Sequence, residues 1–178
     1  TILNLLPLTD AERAAFLAAA PHEDQIFCPA PKLAFTGETA SLDKIARATI
    51  ILGNVPTHML AGSTGLKWLQ TWSAGVNPYL LPGAFPQGAA LTSAVGAYGQ
   101  AVSEHMFASL LAVMKNLPAY RDLQIVHRWD DAGQALTLLG ASVLLLGTGD
   151  LGSHFAGLVK AMGAHTIGLN RHPDKPVE

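Results

Sequence analysis

Short apolar runs alternate with polar turns along the first hundred residues. Residues 2–6 (Ile-Leu-Asn-Leu-Leu) predict a short buried strand. Thr9-Asp-Ala-Glu12 has the form of a capping box, in which the Thr9 hydroxyl and the Glu12 carboxylate satisfy orphan amides at a helix start. Ala and Leu carry that helix to about Ala20, and Pro21 stops it. Gln25–Cys28 predicts a second strand, closed by Pro29 and Pro31. Leu42 to Arg47 has a helical pattern, and Ala48–Leu52 is a β-branched run ended by Gly53-Asn54. A small helix near His58–Ala61 follows, then a strand at Leu66–Trp72 closed by Ser73-Ala-Gly-Val76. Strands alternating with short helices imply an α/β fold with a parallel, doubly wound sheet.

Residues 68–103 carry no charged side chain. The stretch reads as a buried loop or a subunit interface, with a cleft-lining role confined to its two ends. From Ala101 to about Arg128 the pattern is helical, with Val102, Met106, Phe107, Leu110, Leu111, Val113, Met114 and Leu117 on overlapping core faces. Pro118 is expected to break or kink it. Trp129–Gly133 is a loop, and Ser142–Leu146 predicts a strongly apolar buried strand. The expected organisation is one α/β domain over 1–100, a connecting helix over 101–128, and the start of a second α/β domain over 129–178.

Composition narrows the classes. Charged residues are 13% and hydrophobic ones 49% of the chain, which excludes a disordered tail. A net charge of -2 leaves no basic footprint for nucleic acid. Cys28 is the only cysteine, so no intrachain disulfide and no thiolate-built zinc site is available. The uncharged run 135–149 is broken by Gly140 and Gly147 and falls short of the roughly 20 apolar residues of a membrane span. Together with an N-terminus lacking a basic signal-peptide region, this leads to an expectation of a cytoplasmic protein without nucleic-acid, membrane or metal partners.

The chemistry lies in Leu146-Gly-Thr-Gly-Asp-Leu-Gly152. A lone G-x-G-x-x-G can be a glycine-rich turn that binds nothing. Here a buried strand precedes it, a helix with Leu151, Phe155, Leu158, Val159 and Met162 follows, and a second strand, His165–Leu169, comes next. In that context Gly147 permits the turn, Gly149 lets a pyrophosphate approach the backbone, and Gly152 lets helix and strand pack closely. Amides around Asp150 and Leu151 then face phosphate oxygens with the helix dipole behind them. Beyond the second strand the usual ribose-binding acid is missing, and Asn170-Arg171-His172 stands in its place. A guanidinium there pairs a phosphate bidentately, so NADP is expected over NAD, unless Arg171 is an ordinary solvated side chain. The missing acid also counts against an S-adenosylmethionine site.

Ser73–Val76, the helix opening Ala101-Val-Ser-Glu-His105, the Trp129 loop and Leu146–Gly152 come in the order and spacing of the D-isomer-specific 2-hydroxyacid dehydrogenases. Gly96–Glu104 resembles most the glyoxylate/hydroxypyruvate reductase and phosphoglycerate dehydrogenase-like members. The resemblance spans essentially the whole chain. It implies a flavodoxin-like substrate domain followed by the first βαβ unit of a Rossmann dinucleotide-binding domain. It further implies that the backbone at Ala74, Gly75 and Val76 faces a substrate carboxylate. Asn54 would lie at the same cleft, Tyr98 at its rim and Ser103 near the nicotinamide. Ligands of open parallel sheets bind beyond the carboxyl ends of strands, which agrees for the 48–52 and 66–72 strands, although both turns also suit plain turn chemistry. A homodimer and a small 2-keto or 2-hydroxy acid substrate are the implied partners.

The chain departs from the family in one respect. The family's Arg, Glu and His, which hold and protonate the keto acid, belong to a later segment, and this chain stops at Glu178 after one βαβ unit. A dinucleotide fold has two βαβαβ halves. The chain is therefore expected to be the N-terminal portion of a larger enzyme, with no catalytic residue of its own and no turnover alone. His105, His154 and His172 read as surface or structural histidines. The leading expectation is an NAD(P)-dependent oxidoreductase of small D-2-hydroxy acids, and the alternative is an NAD(P)H-sensing module without catalysis.

Overall fold

A computed structural model describes residues 1–28 and 40–171. The expected strand closers Pro29 and Pro31, and His172, lie outside the described residues. The chain divides into two compact units, Thr1–Val95 and Gly96–Glu178.

The first unit contains β1 (Ile2–Asn4), α1 (Asp10–Ala19), β2 (Gln25–Phe27), α2 (Leu42–Arg47), β3 (Ile50–Leu52), a 3-10 turn (Thr57–Leu60), β4 (Trp68–Gln70), a second 3-10 turn (Asn77–Leu80) and β5 (Ala90–Thr92). The strands form one parallel sheet in the order β2-β1-β3-β4-β5, the doubly wound order of flavodoxin-like folds. Register aligns Ile26, Leu3, Ile51, Leu69 and Leu91 in one row. Leu3, Ile51 and Leu69 in that row have no exposed surface, and Leu5, Ile45, Val55 and Leu60 complete the core.

Local sequence explains the flanking helices. The Thr9 side chain accepts from the Glu12 amide while the Glu12 carboxylate accepts from the Thr9 amide at 2.8 Å, so the expected capping box is present. That bonding holds the Glu12 carboxyl below the ordinary range. The helix it starts buries no residue fully, and Arg13 lies 4.6 Å over the Phe27 ring.

Several expectations change here. The uncharged stretch is neither all loop nor all buried: Ala90–Thr92 forms the edge strand β5, and Leu80, Leu81 and Val95 are exposed. A three-residue edge strand has no internal periodicity and is defined by its bonds to β4. The 48–52 and 66–72 strands are also shorter than expected, at three residues each.

The second unit contains α3 (Gly99–Met114), α4 (Leu117–Ile125), β6 (Ser142–Leu146), α5 (Asp150–Ala161) and β7 (His165–Leu169). β6 and β7 pair in parallel through all five residues, giving a βαβ unit. The helical stretch breaks at Asn116, which takes a left-handed conformation (φ 54°), and Pro118 sits in the first turn of α4. A proline lacks only a donor that the first turn leaves unpaired, so the break falls two residues before it.

Burial in this unit differs from expectation. Gly99 and Ser103 are the buried residues of α3, with Phe107, Leu110, Leu111 and Met114 partly buried, whereas Val102, Met106, Val113 and Leu117 are exposed. In α5, Phe155, Ala156 and Val159 are buried while Leu151 and Met162 are exposed. β6 is covered on one face only: Leu145 is buried, but Leu144 and Leu146 are 61% and 78% exposed. Parallel strands normally need cover on both faces, and the described residues provide α5 on one. Among the described residues no helix is long and apolar enough to cross a membrane.

Candidate functional site

In the first unit, β3 and β4 run in parallel and end side by side, so the turns after them share the carboxyl edge of the sheet. Gly53, at φ +122°, turns the chain away from β3, and its amide donates to Gln70 O at 2.8 Å. Asn54 ties the two turns together. Its Oδ1 accepts from the Trp72 amide at 3.1 Å, and its Nδ2 donates to Ser73 Oγ at 3.1 Å. The Ser73 hydroxyl donates to Gly75 O at 2.9 Å. A cavity of about 320 Å³ opens here, with Asn54, Thr57, His58, Ser73, Gly75 and Tyr79 among its lining residues.

Among the described residues the amides of Ala74, Gly75 and Val76 make no hydrogen bond. Ala74 and Gly75 are exposed and Val76 is half-buried. Consecutive unpaired N–H groups at a turn form an anion-binding concavity. Asn54 therefore acts mainly as a brace, with one amide hydrogen left for a ligand. Tyr98 belongs to the second unit, as the residue preceding α3.

Tyr79 fixes the other wall. Its hydroxyl donates to Val55 O at 2.7 Å and accepts from the Val55 amide at 3.1 Å, and its ring meets Phe85 edge-on. Burial raises the phenol above its ordinary value of 10.0, outweighing the lowering by the Val55 N–H. A raised pKa in the folded state means that its stabilisation is complete below about pH 10 and is lost as pH rises above it. Urea unfolding of the chain should therefore show a midpoint falling above about pH 10. Tyr79→Phe should remove part of that fall, while costing about 1–3 kcal/mol at neutral pH because Val55 loses its partner.

In the second unit the glycine turn joins β6 to α5. The Gly147 amide donates to Leu169 O at 2.8 Å, and Ser153 N donates to Gly149 O at 2.9 Å, closing the first helical turn. Gly147 has φ +103°, a conformation that favours glycine. A Cβ on Gly152 would stand 2.1 Å from Gly147 O, so the helix rests directly on the turn. A Cβ on Gly149 would meet nothing within 4 Å, which leaves open space over the backbone. The first amides of α5, at Asp150, Leu151 and Gly152, have no acceptor within the helix. The Thr148 hydroxyl is buried without a hydrogen-bond partner. A tight turn, open space over Gly149 and outward amides fit a dinucleotide pyrophosphate.

The Asp150 carboxylate lies 3.3 Å from His154 Nδ1, and both pack on Gly99, where a Cβ would meet them at 2.2 and 2.6 Å. One turn along α3, Ser103 is fully buried and its hydroxyl donates to Gln100 O at 3.0 Å. Asn170 and Arg171 follow β7, with Arg171 exposed.

The comparisons with known proteins agree with this geometry. Residues 107–178 match the family model described as D-isomer specific 2-hydroxyacid dehydrogenase, NAD binding domain. The crystal structure of a D-isomer specific 2-hydroxyacid dehydrogenase family protein from Aeromonas salmonicida superposes on 99% of the chain, with 28% identity and a TM-score of 0.75. Residues 107–178 therefore resemble the NAD-binding domain of the D-isomer-specific 2-hydroxyacid dehydrogenases, and the chain as a whole shares the fold of a protein of that family. A D-lactate dehydrogenase from Aquifex aeolicus, solved with NAD and lactic acid, shares the fold over 98% of the chain at 18% identity and a TM-score of 0.74. An uncharacterised protein in the mprR 3′ region of Streptomyces coelicolor is 29% identical over 127 residues, 71% of this chain. The chain spans 45% of that relative, and 55% and 52% of the two solved chains.

The family's NAD-binding model takes in β6, the glycine turn, α5 and β7 whole. A nicotinamide dinucleotide is thus the class of cofactor that goes with this segment. In the cleft, the sequence marks Asn54 and Gly75 as site residues, with Ser73 in the same turn motif, but not Thr57, His58 or Tyr79. Only the pairing of β3 with β4 brings those residues together, and no local pattern marks them.

Proposed function

We propose that this chain serves an NADP-preferring oxidoreductase that interconverts a small D-2-hydroxy acid and its 2-keto acid. The first unit takes the substrate and the second the cofactor. The observation that carries the substrate assignment is the set of three unpaired amides at Ala74, Gly75 and Val76 beside the braced Asn54. They supply neutral donors suited to a carboxylate. The bound cofactor supplies a hydride to the keto carbon, and a proton from solvent or a protein acid completes the alcohol. This chain's residues bind and orient: the α5 amides and Gly149 hold the pyrophosphate, and the β3 and β4 turns hold the acid.

Within the family, the Gly96–Glu104 stretch supports the glyoxylate/hydroxypyruvate reductase and phosphoglycerate dehydrogenase-like branch. A homodimer belongs to the same reading. It is supported by a fully exposed Trp129 and by α4, which buries none of its residues. The test is turnover of glyoxylate, hydroxypyruvate and phosphohydroxypyruvate with NADPH by the full-length gene product. Consumption of NADPH with at least one of them is expected, and none with any would overturn the assignment.

The cofactor preference rests on Arg171 and on the lack of an acid at Asn170–Arg171. NADPH should bind more tightly than NADH, and Arg171→Ala should weaken NADPH by about 10- to 100-fold, the worth of one charge-assisted phosphate contact, while sparing NADH. Equal affinity for the two cofactors before mutation would remove this part of the reading.

A further inference from the structure

We propose that His58 reads a second acidic group on the substrate, so that the cleft favours dianionic 2-hydroxy and 2-keto acids over monoanionic ones of equal size. The inference rests on the assignment of the cleft to a 2-hydroxy or 2-keto acid. The 3-10 turn Thr57–Leu60 begins three residues after Asn54 and places His58 on the cavity wall with Asn54, Ser73 and Gly75. His58 is exposed, and among the described residues it makes no hydrogen bond or ion pair. Its donors are therefore available to a ligand without breaking a bond in the protein.

The electrostatics of the cleft single it out. Among the described residues, those facing it come from the turn after β3, the 3-10 turn at 57–60, the turn after β4 and the 3-10 turn at 77–80, and none of these is Asp, Glu, Lys or Arg. The other titratable group there, Tyr79, is committed to Val55 through both functions of its hydroxyl. Of the three unpaired amides, that of Gly75 belongs to a residue on the cavity wall, and it is a neutral donor for the first carboxylate of a ligand that does not change with pH. Among the described residues that line this cleft, the imidazole of His58 is the one side chain able to carry a positive charge. A ligand with one carboxylate, once seated on the amides, has nothing anionic left for it. A ligand with a second acidic group does.

D-malate and D-2-hydroxybutyrate test this, because both have four carbons and they differ in one carboxylate. Their binding to the full-length protein would be measured by calorimetry near pH 6 and pH 8, for the wild type, His58→Gln and the remote exposed His22→Gln. D-malate should bind about tenfold more tightly at the lower pH, as expected for gaining a charge-assisted contact, and D-2-hydroxybutyrate should change little. His58→Gln should abolish the malate effect and leave the monoacid alone, and His22→Gln should leave both unchanged. If D-2-hydroxybutyrate binds and D-malate responds to pH no differently, or keeps its response in His58→Gln, the role of His58 is overturned while the cleft assignment stands. If neither acid binds to the folded protein at either pH, the cleft assignment falls and the role of His58 with it.

Discussion

Gly152→Val should abolish dinucleotide binding and loosen the strand–turn–helix that carries it. A Cβ at position 152 would lie 2.1 Å from Gly147 O and 3.0 Å from Gly147 C. Both are backbone atoms, and Gly147 is itself held by its bond to Leu169 O. Relief therefore requires the start of α5 to move off the turn, away from the contact that orients its first amides. Overpacking of this kind costs about 1–3 kcal/mol, occasionally more, and a branched side chain at a backbone contact belongs at the upper end. Affinity for NADPH should fall at least about 100-fold, since roughly 2.8 kcal/mol corresponds to two decades. Fluorescence titration of the full-length protein, with hydrogen exchange at the Gly147 amide, checks both consequences. Unchanged affinity and exchange would show that the turn is not closed by this contact.

Gly149→Ala gives the complementary result. Its backbone is extended (φ -80°, ψ -160°), open to any residue, and its Cβ would meet nothing within 4 Å. Stability should change by no more than about 1 kcal/mol, the usual worth of an N-cap position. Yet the methyl would fill the space through which a pyrophosphate reaches the α5 amides. Loss of affinity without loss of stability separates a glycine kept for the ligand from one kept for the fold.

That distinction shows what the sequence made legible. The Thr9–Glu12 cap and the glycine turn were readable because each is set by residues within a few positions of one another, through backbone conformation and local hydrogen bonds. The parallel α/β class followed from the alternation of elements. What the sequence hid depends on partners far along the chain. α3 is apolar around much of its circumference, so its buried face could not be read from spacing: small residues, Gly99 and Ser103, sit at its close contacts while Val113 is 70% exposed. β5 exists because β4 pairs with it. The cleft wall shares this character. His58 and Tyr79 are separated by β4 and its turns, and their common address is set by the sheet order.

Gly53→Ala should damage the first unit and its cleft together. Gly53 has φ +122°, where a side chain is strained, and its Cβ would stand 2.8 Å from Leu5 Cβ. Leu5 cannot retreat cheaply: it is 3% exposed within the core, and its amide donates to Leu52 O at 2.8 Å. Backbone strain of about 1–3 kcal/mol adds to the packing conflict, so a loss near 3 kcal/mol is expected, read as a lower urea midpoint at neutral pH. The functional consequence follows from position. Gly53 precedes Asn54, whose two bonds hold the Trp72–Ser73 turn, and a shift at 53 moves that brace. Binding of D-2-hydroxybutyrate should weaken by at least about tenfold even where the variant remains folded, because the amides of Ala74, Gly75 and Val76 lose their fixed position and must be ordered at the expense of binding energy. NADPH affinity should be unaffected, since the glycine turn belongs to the other unit. Equal loss of both ligands would instead indicate global unfolding, and retention of both would show that the β3 turn does not set the cleft.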